Sequence, residues 1–69
     1  MIWSFQRGDE RTTCQLRADP RGPGYDFVVV AADGHETTER FASSQRAFER
    51  WTALEQELLH KGWTGPHGQ

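Results

Sequence analysis

Few side chains in this sequence have the types and spacing that chemistry needs. The soft metal ligands are Cys14, His35, His60 and His67. No two of them stand at the short spacing of a zinc or related site, so no metal is expected. Nucleophilic catalysis needs a nucleophile, a base and an oxyanion site held in place by a scaffold. Cys14 falls in an apolar run, where a buried thiol is inert. Ser43 and Ser44 stand just before a helical pattern and are suited to capping it. Asp9 and Glu10 share an exposed turn. The expectation is a chain that is not an enzyme, with no catalytic residue. No cofactor is expected either, since no glycine-rich loop leads into the helix.

Two places could bind rather than react. At the helix start, Arg40, Ser43, Ser44 and Arg46 gather where unpaired amide groups and the positive dipole end can hold a phosphate or carboxylate. The plainer account of the same residues is a capped helix with two solvated arginines. The second place is a strand face. In the apolar segment Tyr25 to Ala32, Val28 and Val30 point away from Tyr25, Phe27 and Val29. With Ile2 nearby and Thr13, Gln15, Arg17 and Thr38 around them, they form an apolar spot with a polar rim, a pattern that marks contact surfaces. Valine also suits either face of a strand without any partner. The candidate partner-binding face is Ile2, Arg17, Val28 and Val30.

The elements that position these groups follow from periodicity. Between Ser43 and Trp63, Ala47, Phe48, Trp51, Leu54, Leu58 and Leu59 recur at spacings of three and four, the stripe of an amphipathic helix. Glu57 and Lys61 make an i,i+4 pair in the favourable order. Gly62 can take the left-handed conformation that ends a helix, with Trp63 folding back onto Leu58.

Before the helix the sequence alternates in strands. Ile2 to Arg7 and Arg11 to Ala18 flank a Gly8-Asp9 turn. A two-residue loop pairs Trp3 with Cys14, and a four-residue loop pairs Phe5 with Cys14; both leave Trp3, Phe5, Cys14 and Leu16 on one face. Asp19 to Gly24 is a loop by composition. Asp33-Gly34 turns the third strand into a fourth, His35 to Phe41. A three-residue loop with a glycine bulge is preferred there, because it sets Phe41 opposite Tyr25 and into the core. The fold class expected is α+β, a four-stranded antiparallel meander with one C-terminal helix packed on one face, in the order ββββα. Residues 1–63 form the single domain and 64–69 a flexible tail. The expected core is Trp3, Phe5, Cys14, Leu16, Tyr25, Phe27, Val29, Phe41, Phe48, Trp51, Leu54 and Leu58.

Composition bounds the function. At 69 residues the margin of stability is thin, offset by three tryptophans, four phenylalanines and a tyrosine. One cysteine excludes an internal disulfide. No apolar run reaches the length of a membrane span and no signal-peptide pattern opens the chain, so a cytoplasmic setting without membrane attachment is expected. A formal charge of −2 gives no general attraction to nucleic acid.

The order ββββα is similar to that of single-strand-binding proteins of the coactivator and Whirly type. That resemblance implies a sheet face for nucleic acid and dimerisation; Arg7, Arg11, Arg17 and Arg40 could line the sheet edges or the open face. Phe41-Ala42-Ser43, followed by a helix ending in Gly62-Trp63, resembles the end of WGR domains, although the Trp-Gly-Arg triplet that names them is missing. The function expected is a non-catalytic interaction module. It self-associates or docks a protein partner through the uncovered sheet face. Nucleic-acid binding through arginines on the sheet face or at the helix N-terminus, and anion or small-ligand binding at the helix start, are the alternatives.

Overall fold

Glycine-containing turns set the register of the first and third hairpins. The computed structural model describes residues 1–68 and contains β1 (Ile2–Arg7), β2 (Glu10–Ala18), β3 (Tyr25–Val30), β4 (Glu36–Phe41), α1 (Ser44–His60) and β5 (Thr64–Gly68). Gly8 and Asp9 form the two-residue loop, so Arg7 pairs with Glu10 and Trp3 with Cys14. In the third turn, Gly34 donates to the Ala31 carbonyl and Ala31 donates to that of His35, both at 2.9 Å. With Gly34 at φ +89°, this is the three-residue loop with a glycine bulge, and Phe41 stands opposite Tyr25 as the core requires.

The five strands form one antiparallel sheet in the order β4-β3-β2-β1-β5. Residues 64–69 were expected to be a loose tail. Instead, Thr64 to Gly68 pairs with the free edge of β1, and Thr64 Oγ1 donates to the Gln6 carbonyl at 3.1 Å. Gln69 lies outside the described residues. Gly65 makes the pairing possible: a Cβ there would sit 2.8 Å from Phe5 Cδ2 and 2.9 Å from the Ser4 carbonyl oxygen. Only a residue without a side chain lets the two backbones come this close.

Helix α1 crosses one face of this sheet. Ser43 caps it, its Oγ accepting from the Arg46 amide at 3.3 Å. Its end is a Schellman closure: Trp63 donates to the Leu58 carbonyl and Gly62 to that of Leu59, with Gly62 at φ +90°. The chain reverses there, which buries Trp63 and delivers it to the start of β5. Ala47, Trp51, Leu54 and Leu58 pack onto Phe5, Cys14, Leu16 and Phe27, with Trp3, Tyr25, Val29 and Phe41 at the margin. Trp3 stacks on Trp51 with centroids 4.4 Å apart and rings 12° from parallel. One residue of the expected core is misplaced. Phe48 is 46% exposed, because it lies about a quarter-turn round the helix from Ala47 and clears the sheet.

Candidate functional site

The register places Ile2, Arg17, Val28 and Val30 together on the face opposite α1. Ile2, Gln15, Val28 and Thr38 stand in one row across β1 to β4. Ser4, Thr13, Val30 and Glu36 form the next row, and His67 joins it beyond Ser4. Arg17, Asp26 and Arg40 make a third row, of alternating charge. The apolar part of this face is uneven. Ile2 is 41% exposed, Val30 is half-buried, and Val28 is only 5% exposed although it lies outside the helix-packed core cluster. Ser4, equally well covered, accepts a hydrogen bond from the Arg11 guanidinium at 3.3 Å. Val28 is thus shielded, and Ile2 and Val30 are the accessible apolar surface of this face.

The arginines divide between the two faces. Arg7 turns to the helix side. Its guanidinium lies 4.8 Å over the Trp63 ring, bonds the Lys61 carbonyl at 3.1 Å and pairs with Glu10 at 3.0 Å. It therefore works as a clamp on the helix end. Neither helix-end partner, Trp63 or the Lys61 carbonyl, was apparent from the sequence, whereas Glu10 is the cross-strand neighbour of Arg7 in the first hairpin. Arg40 stays on the open face but is held by Asp26 at 3.2 Å and by Asp19. The Arg21 amide and then the Arg40 guanidinium hold the Asp19 carboxyl below its usual range, and Asp19 raises Arg40 in return. Arg11 and Arg17 are the exposed guanidinium groups of this face that form no ion pair among the described residues.

The four residues proposed for an anion site do not converge. Arg40 is committed to the two aspartates near the Asp19–Gly24 loop, and its Nη2 also reaches the Pro23 carbonyl at 3.4 Å. The Ser43 hydroxyl caps the helix. Ser44 and Arg46 remain exposed at the first turn. The strand register carries the reason: a residue that pairs with Asp26 in β3 faces away from the helix that starts four residues later.

Cys14 is fully buried, and burial pushes its thiol up to about 11, against a lesser opposing pull from Arg50. A neutral thiol under a helix offers no nucleophile at ordinary pH. Among the described residues no group of three or more His, Cys, Asp or Glu side chains could hold a metal ion. No helix among them is long and apolar enough to cross a membrane. The outer flank of α1 carries a shallow open depression lined by Gln45, Phe48, Glu49 and Thr52, which is too open to enclose a ligand. Compared with family models, with curated proteins and with solved structures, the chain matches none.

Proposed function

We propose that this chain is a small non-catalytic interaction module that docks a protein partner through the sheet face opposite α1. One observation carries the reading. The single helix covers one face, while the other exposes Ile2 on β1 and Val30 on β3 beside a shielded Val28, interleaved with Gln15 and Thr13 of β2 and bordered by Thr38 and the Arg17-Asp26-Arg40 row. Exposed apolar side chains set among polar ones suit protein contacts. Charge favours a protein over nucleic acid, since Arg7 is turned away and Arg40 already shares its charge with Asp19 and Asp26, which leaves Arg11 and Arg17 as the unpaired guanidinium groups of this face among the described residues. A cytoplasmic setting belongs to the same proposal and rests on the lone unpaired Cys14.

The test compares three proteins as bait in the native cell's extract, followed by reconstitution with whatever is captured. These are the wild type, the pair Ile2→Lys/Val30→Lys, and Gln56→Lys on the exposed side of α1. Val28 is left untouched, because a charge at that shielded position would have to be desolvated within the fold itself. The expected result is a protein partner retained by the wild type and by Gln56→Lys and lost by the pair, with weak dependence on salt. Capture undiminished by the pair contradicts the reading. Capture of nucleic acid with steep salt dependence transfers it to the arginines.

A further inference from the structure

The two edges of the sheet are unequal. β5 is five residues long, contains Gly65 and Pro66, and its register against β1 shifts between Ser4 and Gln6. Such an edge is a poor template for another strand. β4 pairs with β3 over six consecutive residues, Glu36 to Phe41, without a shift, and contains no proline.

The hairpin turn determines which main-chain groups β4 turns outward. Ala31 and His35 form a hydrogen-bonded pair at the turn. In an antiparallel ladder bonded and non-bonded pairs alternate. Thr37, Glu39 and Phe41 therefore direct their amide and carbonyl groups to β3, and Glu36, Thr38 and Arg40 direct theirs to the open edge. An added antiparallel strand must meet these three residues with outward-facing groups of its own.

A second copy of β4 does so in a register centred on Thr38. Thr38 then faces Thr38 of the second copy, and Glu36 faces Arg40 of the second copy on both sides of the axis. The side-chain chemistry agrees with the main chain. Glu36 is exposed and forms no ion pair among the described residues. The Arg40 side chain is half exposed even with its two aspartates in place. Glu39, which points to the helix side, is already held by Arg50 at 2.9 Å. Sliding the copies by two residues in either direction keeps the backbone parity but separates both Glu36–Arg40 pairs.

We propose that two copies of this chain associate edge to edge through β4, antiparallel and in this register. The two-fold axis stands perpendicular to the sheet, so both helices lie on one side and both open faces on the other. The row of Ile2, Gln15, Val28 and Thr38 then continues into its copy, and the docking surface doubles. The edge is held by the β4 main chain and the face centres on Ile2 and Val30, with Thr38 and Arg40 at their shared border, so a face variant at Ile2 and Val30 and an edge variant at Glu36 fail independently.

Sedimentation equilibrium of the full chain, taken to millimolar concentration, tests this. The wild type is expected to show a concentration-dependent dimer. Thr38→Pro removes only an outward-facing N–H, a change that sheet edges tolerate, and is expected to be monomeric with an unchanged circular dichroism spectrum. Glu36→Arg sets like charges opposite each other twice across the axis, and is expected to weaken the dimer about tenfold or more. A wild type monomeric throughout overturns the proposal. So does a folded Thr38→Pro that still dimerises, or a Glu36→Arg that dimerises like the wild type. If Thr38→Pro loses its fold, Glu36→Arg decides alone. A monomer whose β4 edge instead takes an extended segment of another protein also overturns the second copy as occupant.

Discussion

Alternate residues of the same strands build both faces of the sheet, yet the faces are finished in opposite ways. Under α1, Phe5, Cys14 and Phe27 are completely buried, and Trp3 and Phe5 both meet the Trp51 ring. On the far side each apolar residue has polar neighbours, with Gln15 between Ile2 and Val28 and Thr13 beside Val30. β3 carries the contrast within six residues, Tyr25–Val30: Phe27 belongs to the helix-packed core, and Val28 is shielded on the other side. Burial free energy is therefore concentrated on one face, which leaves the other free to carry substitutions and contacts. The cost of a change should depend more on the face it touches than on how apolar the residue is.

Trp51→Ala should show the largest effect. It removes the ring that Trp3 and Phe5 pack against, at about 3–5 kcal/mol. A single small core supplies only about that much in total. The variant should be largely unfolded at room temperature, with collapsed amide dispersion in the proton spectrum; a cooperative melt would break the comparison at its root. Gly65→Ala comes next, at on the order of 1–3 kcal/mol, because the new methyl overlaps Phe5 and the Ser4 carbonyl. An unchanged midpoint in denaturant would mean that β5 does not lie against Phe5. Gly62→Ala forces a left-handed alanine and should cost about 1–2 kcal/mol. A gain in melting temperature would show a helix that runs on through residue 62.

A lesser effect is confined to alkaline pH. The buried Cys14 thiol ionises at about 11 in the folded chain and at about 8.5 when unfolded. The unfolded state therefore loses its proton first, and stability should fall as pH rises from about 8.5 toward 11. Cys14→Ala should flatten that slope in a series of melts. The smallest change is expected for Ile2→Lys/Val30→Lys, within about 0.5 kcal/mol per site, as the lysine stems lie along the surface with their charges in water. A loss as large as that of a core residue would mean the open face contributes to stability and the two faces are not distinct.

Much of the covered face could be read from the chain. Gly8-Asp9 and Ala32-Asp33-Gly34 have turn chemistry that fixes register, and strict alternation on either side leaves one apolar face. The helix was legible at both ends, from Ser43 to the Gly62 reversal. Phe48 was misread because spacings of three and four define a stripe broader than the contact a sheet makes with it. β5 was missed because Thr64 to Gly68 has no alternation of apolar residues; what recruits it is the main-chain edge of β1, which leaves no mark in side-chain pattern. The dispersal of the helix-start cluster was implicit in the preferred register, since setting Phe41 opposite Tyr25 also sets Arg40 opposite Asp26. Alternation ties the two pairings together.

The division of labour between the faces is tested most directly by methyl NMR of the chain as the captured partner is added. The account predicts that the Ile2 and Val30 methyl resonances shift or broaden first, with Val28 following, while those of Val29, Leu54 and Leu58 under the helix stay in place. Perturbation centred on Leu59 and the exposed flank of α1, with Ile2 and Val30 unmoved, would contradict it.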